Sequence, residues 1–152
     1  MNDVVDSATR SRMMSGIKSK NTRPELVIRS GLHRLGYRFR LHSKNLPGKP
    51  DLVFAKFRSV IFVNGCFWHG HDCHLFKIPK TRREFWEAKI GANRKRDVGV
   101  IVELDKTGWR SLVIWECALK GKKKLGTNEV LARTGIWLEG SDANFEISGK
   151  SK

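Results

Sequence analysis

Side chains that bind zinc are concentrated in one short stretch of the sequence. Cys66, His71, Cys73 and His74 lie within nine residues, and Cys117 follows later in the chain. Zinc prefers four tetrahedral ligands drawn from thiolates and imidazoles. A loop with the first three of these ligands can wrap one ion, and Cys117 can close the site from the end of a neighbouring strand. The alternative is buried cysteines with unrelated surface histidines, a poor explanation in a chain with three Cys and five His. We therefore predict a structural zinc site.

Two carboxylates and a histidine indicate a second metal site. Asp51 opens a predicted strand directly after a loop that contains Pro and Gly. Mg²⁺ uses one or two carboxylates together with substrate phosphate, and it would neutralise an attacked phosphate and lower the pKa of a bound water. His69 lies in the cysteine-containing loop without being needed there, and it could act as a general base. Glu25 could reach the same metal through a water.

Each of these three residues also has a structural interpretation. Asp51 could cap a strand end or pair with Lys49, Glu25 could serve only in helix capping, and His69 could be a spare zinc ligand. A single Pro-Asp dipeptide is weak evidence. The residues alone therefore leave both interpretations open.

Large aromatic side chains accompany the basic ones. Phe67 and Trp68 lie inside the cysteine-containing loop, and Trp86 lies in a basic stretch. Such rings can wedge between base pairs and compensate for the lost base stacking. Core packing is the usual fate of Trp, and we expect it for Trp109 and Trp115. For Phe67 and Trp68 both roles remain open.

The composition favours a single globular domain that binds nucleic acid. The 152 residues carry 30 Lys and Arg against 15 Asp and Glu, a net charge of +15. Such an excess of positive charge attracts polyanions, the alternatives being a merely cationic protein or one that binds membrane surfaces. No run of about 18 apolar residues and no secretory leader are present. We therefore expect no membrane insertion and a cytoplasmic protein, in which an odd number of Cys argues against a disulfide framework.

The elements that must position these residues follow from local patterns. Thr22, Pro24 and Glu25 form a helix start, and Gly36 a helix end. Phe85, Ile90, Ile101 and Leu104 are the expected apolar anchors of a long helix. The first half of the chain is expected to form a helix from residue 22, a strand at 37–41 and an antiparallel hairpin of 51–55 and 59–63 that turns at 56–58. The second half is expected to form a helix at 82–106, a strand at 110–115, a weak helix at 128–134 and a frayed tail from residue 141. This pattern predicts an α/β domain with a central mixed sheet flanked by helices. We divide the chain into a basic arm (1–21) that orders on DNA, a domain (22–140) and a flexible tail (141–152).

Several runs of the sequence resemble the very short patch repair endonucleases of bacteria. They are ATRS at 8–11, LPGKPD at 46–51, VIFVNGCFWH at 60–69, REFW at 83–86 and WECAL at 115–119. The similarity extends from about residue 3 to residue 138 and does not cover the tail. The resemblance implies a PD-(D/E)XK nuclease-like fold with a structural zinc and an Mg²⁺-dependent enzyme. It implies nicking of double-stranded DNA on the 5′ side of the thymine in a T:G mismatch, which arises when 5-methylcytosine deaminates.

The resemblance also implies roles for individual residues. Asp51 would be the magnesium ligand together with the main-chain carbonyl of Val63, His69 the catalytic base, and Glu25 a contributor through metal-bound water. The implied zinc ligands are Cys66, His71, Cys73 and Cys117. The implied DNA contacts are Phe67, Trp68 and Trp86 as an aromatic wedge and Met14 of the arm from the minor-groove side. We expect a monomer, with mismatch-repair proteins as candidate partners.

One position departs from the family's best-known pattern, which has Thr-His where this chain has Val63 and Asn64. A main-chain carbonyl tolerates the change from Thr to Val. Asn64 cannot exchange a proton at pH 7, although it can hydrogen-bond a phosphate oxygen of DNA. The principal acid–base role should therefore fall to His69.

Two other function classes compete with a mismatch endonuclease. One is a zinc-stabilised DNA-binding module without hydrolytic activity, which would have lost catalysis at Asn64. The other is a basic RNA-binding protein, for which we expect salt-sensitive affinity without mismatch preference. The presence of Asp51, His69 and Glu25 together argues against the inactive module.

Overall fold

The computed structural model describes residues 21–150, so the predictions for Met14 and nearly all of the arm lie outside the described residues. Within that range the chain forms three α-helices and five strands. In chain order they are α1 (Arg23–Arg34), β1 (Arg40–Leu41), β2 (Leu52–Phe54), β3 (Ser59–Asn64), α2 (Arg83–Lys106), β4 (Arg110–Trp115), α3 (Thr127–Glu139) and β5 (Phe145–Ile147). Short 3₁₀ turns at Ala55–Phe57 and Glu116–Ala118 follow β2 and β4.

The five strands form one mixed sheet in the order β1-β2-β3-β4-β5. The first three strands are antiparallel to one another, and β3, β4 and β5 run parallel. The β2–β3 pair is the predicted hairpin, with Leu52 opposite Ile61. Both the mixed sheet and the hairpin are therefore confirmed.

Alternating side chains of the strands bury two faces of the sheet, as the two-residue period of a strand requires. One face carries Leu52, Phe54, Ile61 and Val63, which pack in the main core with residues of α1 and α3. The other carries Val53 and Val60, which pack with Leu104 of α2. The sheet is thus covered by α1 and α3 on one side and by α2 on the other. Among residues 21–150, no helix has both the length and the apolar character needed to cross a bilayer.

Helix α1 begins where the capping pattern predicts. The Thr22 side chain accepts a hydrogen bond from the Glu25 N–H at 3.4 Å. The Glu25 carboxylate in turn accepts from the N–H of Asn21 at 2.8 Å, which is one residue earlier than in a standard capping box. Ile28 and Leu32 are buried, whereas Leu35 is 60% exposed. The helix therefore orients Glu25 by both its start and its apolar face.

Four predictions of local structure need correction. The strand expected at 37–41 is only the two residues of β1, and the weak helix expected at 128–134 extends over 13 residues. Phe85, expected as an apolar anchor of α2, is 43% exposed, whereas Ile90 and Leu104 are buried as expected. The tail expected to be flexible from residue 141 contains β5, because Ile147 is buried against the sheet. The three residues of β5, Phe145–Ile147, are too short a run for their alternation to predict a strand.

Candidate active site and metal centre

Two carboxyl groups are buried together where α1 meets the hairpin. Glu25 is 0% and Asp51 6% exposed. Asp51 lies directly before β2, and its Oδ2 accepts a 2.7 Å hydrogen bond from the N–H of Val63 in β3. His42, the residue after β1, brings its Nε2 to 2.8 Å from Glu25 Oε2. Single ligand atoms of Glu25, His42 and Asp51 all lie within 4.8 Å of one another, so these three residues could hold a metal ion.

The electrostatics of this group favour a bound cation. The pKa of Asp51 is raised to about 7, chiefly by burial and also by the neighbouring Glu25, although the hydrogen bond from Val63 N–H acts in the opposite direction. Glu25 also accepts a 2.9 Å hydrogen bond from Arg29 Nη1. Perturbed carboxyl groups of this kind are typical of functional sites. From the sequence, Asp51 could have paired with Lys49. In the structure, Asp51 instead accepts a hydrogen bond from the main-chain N–H of Val63.

His69 lies in the loop after β3 and is held by helix α2. Its Nδ1 is 2.6 Å from Asp97 Oδ2. One turn earlier on the same helix, Asn93 donates a 2.8 Å hydrogen bond to the carbonyl of Trp68. The ring of His69 faces that of Trp115 edge-on, with centroids 6.2 Å apart. His69 is not a member of the Glu25, His42 and Asp51 group.

The four predicted cysteine and histidine ligands meet in a second group. The ligand atoms of Cys66, His71, Cys73 and Cys117 lie within 4.8 Å of one another. His71 Nδ1 is 3.5 Å from Cys66 Sγ and 3.6 Å from Cys117 Sγ. Tetrahedral zinc with bonds of about 2.3 Å to sulfur and about 2.0 Å to nitrogen would separate two such ligands by about 3.6 Å. The side chains therefore fit one tetrahedral ion of this size.

Hydrogen-bond donors surround the sulfur atoms. Leu75 N–H donates to Cys73 Sγ at 3.4 Å, and Gly149 N–H donates to Cys117 Sγ at 3.2 Å. Burial raises the pKa of the Cys66 and Cys117 thiols and lowers the pKa of His71. A neutral imidazole is the form that ligates a metal, and a bound cation would favour the thiolates that burial opposes.

The three aromatic rings predicted to contact DNA form one cluster. The centroids of Phe67, Trp68 and Trp86 lie 5.2 to 5.8 Å apart, in edge-to-face geometry. All three rings are half-buried, so they are packed together without being enclosed. Trp115 is buried, as expected of a core residue, and Trp109 packs partly buried against the α2 side of the sheet.

Three contributors to these sites were missed by the sequence patterns. His42 contacts a residue 17 positions earlier, and no local pattern predicts that contact. Asn93 and Asp97 are four residues apart and so lie on one face of α2. Their helical spacing could have identified them, but only if the crossing of the loop over this helix had been known.

Asn64 is half-buried at the end of β3, next to Val63.

The chain is similar to a DNA mismatch endonuclease and to type II nicking enzymes of bacteria. A family model described as DNA mismatch endonuclease Vsr matches residues 2–75. The DNA mismatch endonuclease Vsr of Escherichia coli (strain K12) is 46% identical over 147 residues, covering 97% of this chain and 94% of that protein. A type II nicking enzyme of Xanthomonas oryzae pv. oryzae is 51% identical over 119 residues, covering 78% of this chain and 88% of that protein. Another, from Neisseria meningitidis serogroup A, is 43% identical over 122 residues, covering 80% and 87%.

The charge on Asp51 should have a measurable effect on stability. The pKa of Asp51 is about 7 in the folded chain and 3.8 for a carboxyl group in its ordinary environment, as in the unfolded chain. Between pH 3.8 and about pH 7, the folded protein therefore holds a proton that the unfolded chain has lost. This stabilisation is complete below pH 4 and disappears as the pH rises through about 7. Asp51→Asn should therefore raise the free energy of unfolding at pH 8 by roughly 2–4 kcal/mol, and by less at pH 5.

Urea unfolding at both pH values, without added Mg²⁺, measures this difference. Asp105→Asn, which removes an exposed carboxylate of α2, controls for the loss of one negative charge. Equal effects of Asp51→Asn at pH 5 and pH 8 would contradict the raised pKa.

Proposed function

The chain belongs to the Vsr family of DNA mismatch endonucleases, and from this membership we propose that it nicks double-stranded DNA on the 5′ side of the thymine in a T:G mismatch. Such a nick would start very short patch repair of deaminated 5-methylcytosine. The observation that carries the proposal is the 46% identity with a mismatch endonuclease over 97% of the chain. The buried carboxylate pair supports it, because an inactive DNA-binding module has no use for such a costly arrangement.

Asp51 is the proposed ligand of a catalytic Mg²⁺, with the main-chain carbonyl of Val63 as a further ligand. Glu25, expected from the sequence to act through a metal-bound water, has a ligand atom within 4.8 Å of that of Asp51, so we propose that it can also bind the ion directly. Two buried carboxylates suit a hard divalent cation, which prefers oxygen ligands. When bound, the ion supplies positive charge at the attacked phosphate. The Val63 N–H keeps one oxygen of Asp51 fixed in position. Arg29 Nη1, at 2.9 Å from Glu25 Oε2, offsets the charge of Glu25.

His69 is the proposed general base. With its Nδ1–H donated to Asp97 at 2.6 Å, the Nε2 lone pair is left to accept a proton from the attacking water. The water oxygen then bonds to phosphorus while the ester bond from phosphorus to the departing sugar oxygen breaks, and that oxygen takes up a proton from solvent to become a hydroxyl group. The Asp97 carboxylate orients the ring and stabilises the imidazolium that forms. Asn64 cannot replace His69 in this step, so we assign it a hydrogen bond to a DNA phosphate.

Zinc is the proposed ion for Cys66, His71, Cys73 and Cys117, with a structural role. All four positions are filled by protein side chains, as in other structural sites. The ion would connect the loop after β3 to the end of β4. That loop has little regular structure of its own, so the ion would replace the missing packing.

DNA binding is proposed to use charge for affinity and aromatic rings for selectivity. The net charge of +15 would attract the phosphate backbone regardless of sequence. Phe67, Trp68 and Trp86 would wedge into the stack at the mismatch, where the weaker pair costs less to open. Met14 would contact the minor groove from the arm. We propose a monomer that acts in the cytoplasm, with mismatch-repair proteins as candidate partners.

Mismatch-dependent nicking tests the function. We expect the zinc-loaded protein to nick a T:G duplex in Mg²⁺, and a matched T:A duplex much more slowly. Asp51→Ala should lower the rate at least about 10³-fold, because the ion supplies several kcal/mol of charge stabilisation. Asp105→Ala is the matched control for an exposed carboxylate. Gel analysis of end-labelled strands gives the rate and the cut position. Undiminished nicking by Asp51→Ala would contradict the metal mechanism.

The aromatic wedge should determine discrimination more than affinity. Trp68→Ala should reduce the T:G preference about 10-fold or more, since stacking on one base contributes ~1–3 kcal/mol. Binding to plain duplex should change less. Phe145→Ala, which alters an exposed ring of β5 outside the cluster, is the control. Competition binding with matched and mismatched duplexes measures both quantities, and unchanged discrimination in Trp68→Ala would rule out the wedge.

Loss of one proposed zinc ligand should release the ion. Cys117→Ser is expected to lower the zinc-to-protein ratio and the melting temperature together, because metal binding is coupled to folding. His74→Gln should keep the ion, since His74 lies in the same loop but outside the group of four. Elemental analysis and thermal unfolding provide the measurements. A zinc ratio unaltered by Cys117→Ser would exclude Cys117 as a ligand.

A further inference from the structure

The carboxylate group contains a third side chain to which the proposed mechanism gives no role. His42 Nε2 is 2.8 Å from Glu25 Oε2. The ligand atoms of His42, Glu25 and Asp51 lie within 4.8 Å of one another. Both carboxylates are buried, and the imidazole is 20% exposed. His42 is therefore the most exposed of the three side chains in this group.

The backbone fixes His42 beside Asp51. The His42 N–H donates a 3.1 Å hydrogen bond to the main-chain carbonyl of Asp51. His42 has a φ of +49°, in the left-handed region that few residues other than glycine adopt. The end of β1 thus holds a histidine in an unfavourable conformation next to the proposed metal ligand. Such local strain often accompanies a functional position.

The distances suit coordination of one ion as well as a hydrogen bond. In octahedral geometry with bonds of about 2.1 Å, adjacent ligand atoms are about 3 Å apart and opposite ones about 4.2 Å apart. The 2.8 Å between His42 Nε2 and Glu25 Oε2 is close to the distance between adjacent ligand atoms. The ligand atoms of all three residues lie within 4.8 Å of one another, a limit that allows adjacent and opposite positions around one ion. Without an ion, Nε2–H can donate to Glu25. With an ion, the lone pair of the other tautomer can coordinate it.

We propose that His42 is a direct ligand of the divalent ion bound at Asp51 and Glu25. This inference rests on the proposed function only in assigning a metal to that carboxylate pair. A nitrogen ligand favours Mn²⁺ and later transition metals over Mg²⁺, which prefers oxygen. His42 therefore broadens the metal use of the site to Mn²⁺. The alternative is that His42 only orients Glu25 through a hydrogen bond, in which case its nitrogen does not bond to the ion.

Electron paramagnetic resonance with Mn²⁺ as the probe distinguishes these roles without substrate. The full chain, with zinc in its cysteine site, is titrated with Mn²⁺ in the absence of DNA. Pulsed measurements then detect magnetic coupling between Mn²⁺ and a directly bonded ¹⁴N nucleus. We expect that coupling in the natural protein and in His69→Gln, but not in His42→Gln. Asp51→Ala should abolish the Mn²⁺ site altogether.

Affinities provide an independent readout. His42→Gln should weaken Mn²⁺ binding about 10-fold, and competing Mg²⁺ by less than about 3-fold, because the glutamine carbonyl is an oxygen donor. The zinc content of each variant shows that it is folded. The proposal is overturned if nitrogen coupling is absent from the natural protein, survives His42→Gln or Asp51→Ala, or disappears in His69→Gln. Equal losses of Mn²⁺ and Mg²⁺ affinity would also overturn it.

The same samples separate this inference from the proposed function. A natural protein that binds Mn²⁺ through His42 but fails to nick a T:G duplex would leave the ligand assignment standing and reject the function. A protein that nicks in Mg²⁺ and shows no nitrogen coupling would do the reverse.

Discussion

The burial of Glu25 and Asp51 together carries a large electrostatic cost, and the sites around the pair depend on how the fold compensates for it. Two carboxylates removed from water repel each other and lose their hydration. The compensation comes from main-chain N–H groups of Asn21 and Val63 and from the side chains of Arg29 and His42. The first of these donors requires the helix start at Thr22, and the second requires the register of β2 on β3. A register slip of one residue would turn every side chain of β2 to the opposite face. The buried pair therefore makes the sheet register a condition of chemistry as well as of packing.

The loop after β3 has almost no regular structure, so contacts of its side chains and main chain with other elements hold it in place. Its two anchors are the group of Cys66, His71, Cys73 and Cys117 at one end and the polar face of α2 at the other. Gly70 has a φ of +61°, and a side chain there would approach Ile90 to 2.6 Å. Only glycine combines that conformation with such a close approach. The loop can thus lie directly on the helix, with His69 on Asp97 and the aromatic rings beside it. The cysteine and histidine group and one helix face together position both a candidate base and a candidate wedge.

The sequence predicted the elements with strong local signals and missed those that depend on distant contacts. The capped start of α1, the β2–β3 hairpin, the long helix α2 and the strand β4 all carry short-range patterns, and the structure confirms them. Strand β5 was missed because its stability comes from pairing with β4 and from one buried residue, Ile147. The cysteine group could be anticipated because three of its members are close in sequence and cysteine is scarce in the chain. His42 and Asp97 could not, since each acquires its role only when a separate element folds against it.

The overall charge and the buried charges have opposite signs, and this division matters for how the protein engages DNA. The excess of 15 positive charges creates long-range attraction for phosphate, while two carboxyl groups are buried together where α1 meets the hairpin. A phosphate drawn in by the surface would be repelled by these groups in their ionised form unless a divalent cation lay between them. General affinity for DNA is therefore physically separable from the capacity to cut it. The first needs only the cationic surface, and the second, in the proposed mechanism, also needs an ion at Asp51. Such separation allows the protein to sample matched duplex without productive contact at the carboxylate group. In the proposed function, discrimination is left to the step in which the half-buried aromatic cluster would open the stack.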